Sequence, residues 1–402
     1  MKALDPGYGP AAAQAEERPA SVGGLHPGPL TGLRVVEFAG KGPGPFAGML
    51  LSDMGAQVTR VERVTDVGTP SRDLVVRGRR SLAVDLKTAD GVKVVSRMIE
   101  RADALIEGFR PGVMERLGLG PERCLSANEG LIYGRMTGWG QDGPMATKAG
   151  HDINYIALSG ALGVIGRAGQ PPTPPLNLVG DLGGGGCLLA FGMVCGLLAR
   201  ANGGPGQVID ASMVEGSAVL LTMLFGAPWS DSWGERGTNM IDSGAPFYDS
   251  YPTADGKWLA VGAIEPEFYE NFVHGLGIDP HELHPQMDRS AWPSRKRLVE
   301  ARIRERALDD WLETFADLDA CVSPVLELHE VAKHPHNVVR RTLLECEGEA
   351  QPAPAPRFSA TPPGEPSAPP VVGAHTSEEM KRIGFSDEEI EQLLSRGVVA
   401  QA

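Results

Sequence analysis

The 402-residue sequence predicts an α/β protein built on a parallel sheet, and two observations carry that prediction. Short runs rich in β-branched residues alternate with helical patterns from the first structured stretch onward, the order that parallel strands with crossover helices require. The composition, 42% hydrophobic and 22% charged, is that of a globular chain long enough for two domains.

Taken in order, residues 1–28 are rich in Ala, Pro, Gly and Glu, lack an apolar core of the signal-peptide kind, and are expected to form a disordered leader. Residues 33–38 read as a strand, 39–45 as a Gly/Pro loop, 46–54 as a helix closed by Gly55, and 57–62 as a second strand. The loop reads K-G-P-G-P-F from Lys41 to Phe46, without the G-x-G-x-x-G spacing of dinucleotide-binding turns, so a nicotinamide cofactor is not expected. Arg63, Arg72, Arg77, Arg79, Arg80 and Lys87 then form a basic cluster in an acidic chain, suited to phosphate or else to a solvated charged face.

Residues 88–101 carry apolar positions at helical spacing, and 104–107 form a strand whose carboxyl end leads to Arg110, a candidate anion contact. Another strand, 131–136, runs into a glycine-rich loop. His151 stands in a polar setting before an apolar helix; it suits proton transfer or simple capping. Asp181 precedes Gly183 to Gly186, a run expected to leave backbone room for a ligand, although an N-cap aspartate would look the same. A histidine with a buried carboxyl makes a workable acid/base pair.

Beyond this, 187–200 is expected to be a buried helix, 203–210 a turn into a strand, and 213–225 one long helix. A smaller α/β unit follows, with a hairpin over 247–262 turning at Asp255-Gly256 and helices at 266–275 and 296–317. Glu265 either begins the first of these helices or orients a histidine. Residues 352–370 read as an extended Pro-rich surface segment, and Ser386 with Glu389 forms a capping box for the last helix. The resulting division is a leader at 1–28, a large domain beginning at 29–225, a linker at 226–245, a small domain at 246–328 and a return to the large domain over 329–402.

A net charge of -14 argues against nucleic acid or an anionic membrane as partner. The longest apolar run, 187–199, is too short to span a bilayer. Five cysteines, without metal-ligand spacing, are expected to be reduced and mostly buried; with no H-E-x-x-H motif, no metal is expected, and the cytoplasm is the expected location.

Across roughly residues 30 to 397 the chain resembles the family III CoA-transferase (CaiB/BaiF) fold family, and within it the α-methylacyl-CoA racemases. The segments that carry the resemblance include Val84-Asp85-Leu86-Lys87, Phe109-Arg110-Pro111-Gly112, Gly150-His151-Asp152-Ile153-Asn154-Tyr155, Leu178-Val179-Gly180-Asp181 and Ile264-Glu265-Pro266. The resemblance implies a Rossmann-like large domain, an inserted small domain and an interlocked homodimer. It implies that His151 and Asp181 transfer protons, with Asp152 and Glu265 supporting them, Glu265 from the partner chain. It further implies that the CoA part of an acyl-CoA substrate lies near Arg63, Val84, Asp85, Leu86, Lys87 and Arg110, with Gly150, Asn154 and Tyr155 along the thioester arm. The CoA belongs to the substrate, and no separate cofactor is expected. In the transferases of this fold the aspartate matching Asp181 is instead a covalent nucleophile, which is the alternative reading.

Overall fold

The computed structural model describes residues 27–346 and 348–402, so the expected leader lies almost wholly outside the described residues. Its central feature is a seven-stranded sheet in the order β12-β3-β2-β1-β4-β5-β6. The strands are β1 (Arg34–Phe38), β2 (Gln57–Glu62), β3 (Arg79–Val84), β4 (Ala104–Glu107), β5 (Ile132–Thr137) and β6 (Gln207–Ser212), all parallel, with β12 (Val399–Ala400) antiparallel at one edge. β1 is buried at Val35, Val36, Glu37 and Phe38. That near-continuous burial follows from helices covering both faces of a parallel sheet.

The chain builds β1, β2 and β3 outward in one direction and then returns to place β4 on the other side of β1. The loops after β1 and β4 therefore diverge, and a crevice opens at the carboxyl ends of these two strands. Helix α1 (Pro43–Asp53) follows β1 directly, with Pro43 in its first turn, where a missing N–H is harmless. Helix α2 (Ala89–Ile99) is capped by Thr88, whose hydroxyl accepts from Gly91 N–H.

A separate core gathers around a three-stranded antiparallel sheet, β7 (Tyr248–Pro252), β8 (Trp258–Gly262) and β9 (Val322–Pro324). The hairpin turns at Asp255-Gly256 as its sequence predicts, with Gly256 at φ +78. β10 (Leu343–Cys346) and β11 (Glu349–Pro352) form a small ribbon. The last helix, Asp387–Ser395, carries the expected capping box.

Several expectations are corrected. The helix expected over 296–317 is two, Trp292–Ile303 and Leu308–Phe315. The chain reverses between them so that Trp311 donates its indole N–H to Ile303 O at 2.9 Å. The helix expected over 213–225 breaks at Leu221 into Met213–Leu220 and Thr222–Phe225. There the Thr222 hydroxyl donates to Val219 O at 2.6 Å and competes with the helical ladder.

The apolar segment expected to start at Cys187 is the second half of a longer helix, Leu178–Ala201, which by length and composition alone could cross a membrane. It is not buried all round. Leu189, Ala190, Met193 and Leu197 face the core, whereas Phe191, Val194 and Leu198 are exposed. Nor are the cysteines mostly buried: Cys124 is, but Cys187, Cys195 and Cys321 are exposed.

Candidate active site

Two cavities meet at the crevice beside β1. One, of about 320 Å3, is lined by Lys41, Arg110, Gly150, His151 and Tyr155 among others. The second, of about 610 Å3, is lined by Arg63, Val84, Asp85, Leu86 and Lys87. Phe38 and Phe109, at the ends of β1 and β4, line both, their ring centroids 6.0 Å apart and edge to face. Residues drawn from five separate stretches of sequence thus border two adjoining cavities that share Phe38 and Phe109, together forming a groove along the crevice. Its cationic groups, Lys41, Arg63, Lys87, Arg110 and Lys148, are exposed and form no ion pair among the described residues. Such a row suits an anionic, phosphate-bearing ligand.

The other arginines of the expected basic cluster are used differently. Arg77 pairs with Asp53 at 2.6 Å, Arg79 with Glu37 at 3.1 Å, and Arg80 with Glu378 and Glu379. Arg77 and Arg79 are buried, and their guanidinium groups neutralise buried carboxylates instead of meeting solvent. Of the five arginines, Arg63 alone lines the groove.

His151 is the residue before the helix Asp152–Leu158 and is exposed to the cavity. Its backbone N–H donates to Asn154 Oδ1 at 3.0 Å, so the helix start is held by Asn154. Asp152 is 7% exposed, and its Oδ2 accepts from Asp181 N–H at 2.7 Å. This bond ties the His151 helix to the Asp181 helix. Gly180 makes it possible: a Cβ there would lie 2.5 Å from the same oxygen. Asp152 Oδ1 is buried without a hydrogen-bond partner among the described residues.

Asp181 lies in the first turn of the long helix, which begins with wide, π-helical turns over Leu178–Cys187. Burial pushes its carboxyl above the ordinary aspartate range and Asp152 adds to that, against the lowering by the Asn177 hydrogen bond and by His151. Asn177 Nδ2 donates to Asp181 Oδ2 at 3.3 Å. A Cβ on Gly42 would sit 3.1 Å from that oxygen, which puts the carboxylate beside the cavity-lining Lys41 and Pro43. His151 and Asp181 are therefore brought to one place, from different helices.

Gly183 to Gly186 have a different use from the one expected. They are filled in from outside: Cβ atoms on Gly184, Gly185 and Gly186 would lie 2.6 Å from Ser217 N, 2.9 Å from Pro43 Cβ and 2.7 Å from Phe46 Cδ1. The glycines let two helices pack close to the Asp181 helix, leaving no room there for a ligand.

Glu265 is the residue before the helix Pro266–Leu276, in the small α/β unit near Cys321. Within one chain it is not among the groups acting on Asp181 or lining the groove. Sequence reasoning gave no role to Lys41, Phe38, Asn177 or Trp139. The i, i+4 spacing of Asn177 and Asp181 was the available signal for one of them. No group of three or more His, Cys, Asp or Glu suited to a metal ion occurs among the described residues.

A model of CoA-transferase family III matches residues 30–376. The chain is 49% identical over 375 residues to the mouse α-methylacyl-CoA racemase, covering 92% of this chain and 97% of that one. It is 46% identical over 374 residues to the human α-methylacyl-CoA racemase, with the same two coverages. Among solved structures, a CaiB/BaiF family protein from Brucella suis superposes with a TM-score of 0.78 at 24% identity, over 89% of this chain and 100% of that one.

Proposed function

The chain belongs to CoA-transferase family III, and from that premise we infer that it interconverts (2R)- and (2S)-2-methylacyl-CoA thioesters by moving one α-proton. A thioester acidifies the α-carbon by delocalising charge onto its carbonyl oxygen. One base removes the proton, the C–H electrons form the enolate, and an acid on the opposite face returns a proton to the carbon. His151 and Asp181 are the two groups. The observation that supports this most is that His151, which lines the groove, and Asp181, which lies beside its Lys41 and Pro43 and feels the His151 charge, come together from different helices.

Asp152 holds the pair in register through the Asp181 backbone. The CoA moiety runs along Arg110, Phe109, Arg63 and Val84 to Lys87, with Gly150, Asn154 and Tyr155 beside the thioester arm. Glu265 completes the site from the second subunit of an interlocked homodimer, which accounts for its distance from the pair within one chain. The transferase alternative makes Asp181 a nucleophile, a role that acts through the ionised carboxylate, which its burial disfavours. It gives His151 no task. The test is His151→Ala: inversion of either epimer should be lost, and full inversion by that variant would refute the role.

A further inference from the structure

Tyr155 is 7% exposed, yet its hydroxyl makes no hydrogen bond among the described residues. The ring is held rigidly. Trp139 packs against it edge to face at 4.7 Å between centroids, and the backbone on two sides has no side chain. A Cβ on Gly138 would lie 2.1 Å from Tyr155 Cε1, and one on Gly150 would lie 2.7 Å from the same atom. Glycine at both positions is thus a condition for the ring to be where it is. The ring is buried, but the hydroxyl oxygen is not among the buried unpartnered atoms of the described residues, so the phenol tip stays open to a ligand. Here it lines the cavity that also exposes His151.

Its surroundings narrow what it does. Tyr155 lies in the helix that His151 precedes, and both residues line the same cavity. Asp181 and Arg110 are both near enough to act on its ionisation. Burial and the Asp181 charge push the phenol up, which keeps it a proton donor while the two acid/base groups exchange roles. Asn177, another neutral donor close to Asp181, already serves its carboxylate. The reaction proposed above leaves one requirement that neither His151 nor Asp181 meets: the charge that leaves the α-carbon accumulates on the thioester oxygen and needs a fixed donor.

We propose that the Tyr155 hydroxyl donates a hydrogen bond to the thioester carbonyl oxygen and stabilises the enolate. This rests on the racemase reading. No covalent bond to the tyrosine forms, and its proton stays on the phenol throughout, so the step adds nothing to the balance of the α-proton transfer.

The test is Tyr155→Phe, which keeps the ring and its packing, assayed beside the unaltered protein with both epimers of 2-methylacyl-CoA. The enolate is common to both directions, so kcat should fall by about 100-fold in each, with KM changed only a few-fold and the melting temperature retained. Unchanged kcat in the variant, or a raised KM with kcat intact, would overturn the assignment; the second result would make the hydroxyl a contact to the pantetheine arm. If the unaltered protein itself neither exchanges nor inverts the α-centre, it is the racemase reading that fails. Should Tyr155→Phe unfold, Gly138→Ala supplies the second probe, because displacing the ring must lower kcat in both directions equally while binding of CoA alone persists.

Discussion

Asp181 answers to two demands, since the same burial that suits its carboxyl to the proposed proton transfer works against the fold once the group ionises. Its folded-state pKa lies above the unfolded value, so the carboxyl contributes its full stability below the unfolded pKa and loses it as pH rises through the folded one. Asp181→Asn should therefore abolish inversion while melting no lower than the unaltered protein at about pH 7, an advantage that shrinks toward about pH 3. A lower melting temperature at neutral pH would contradict this. The pair also constrains the pH profile of activity. One direction needs neutral His151 with protonated Asp181, and the reverse needs the proton on His151; both forms carry one proton in total. The kcat/KM profiles of the two epimers should accordingly be bells with the same two limbs. His151 and Asp181 are singled out in the sequence by local settings, yet the glycine run that marks Asp181 packs helices and leaves no room for a ligand. The fate of the arginines was not legible, because the carboxylates that claim Arg77, Arg79 and Arg80 stand 24, 42 and 299 positions away. That difference is measurable. Arg79→Met leaves Glu37 short of a buried partner and should lower unfolding stability by about 3–5 kcal/mol, whereas Arg63→Ala should raise KM several-fold and leave stability intact.

Between elements, close approach decides the geometry. The helix carrying Asp181 is gripped by α1 on one side and by the helix Met213–Leu220 on the other, through Gly184, Gly185, Gly186 and Gly216. A Cβ on Gly216 would fall 1.8 Å from Gly184 O, so Gly216→Ala must push the helices apart. We expect a loss of about 1–3 kcal/mol in urea unfolding and a larger proportional loss of kcat than of substrate affinity, since Asp181 moves with its helix. The sequence made the strands and α2 readable through period, and the last helix through its capping box at Ser386. It could not reveal that the glycine run packs helices, because a run of glycines looks the same whether a ligand or a backbone comes near. The breaks at Leu221 and between Ile303 and Leu308 escaped for a related reason: each is set by hydrogen bonds of Thr222 or Trp311 that a helical pattern does not encode.

For the whole molecule, the parallel sheet places its switch point between β1 and β4, and the groove follows from that topology. Glu265 gives the proposed dimer a direct consequence. If it serves the partner's His151, coexpressing His151→Ala chains with Glu265→Ala chains creates mixed dimers in which one site has both groups intact. Two variants inactive alone should then regain roughly a quarter of full activity, from half of the dimers and one site in each. No recovery would place Glu265 outside the partner's site.

The two-base inversion of the α-carbon is most directly tested with the purified protein in deuterium oxide, given either (2R)- or (2S)-2-methylacyl-CoA and no acceptor acid. Deuterium should enter the α-position from either epimer and stereochemical purity should decay in step. Absence of exchange, followed by movement of CoA once a carboxylic acid is supplied, would make Asp181 a nucleophile and contradict the racemase.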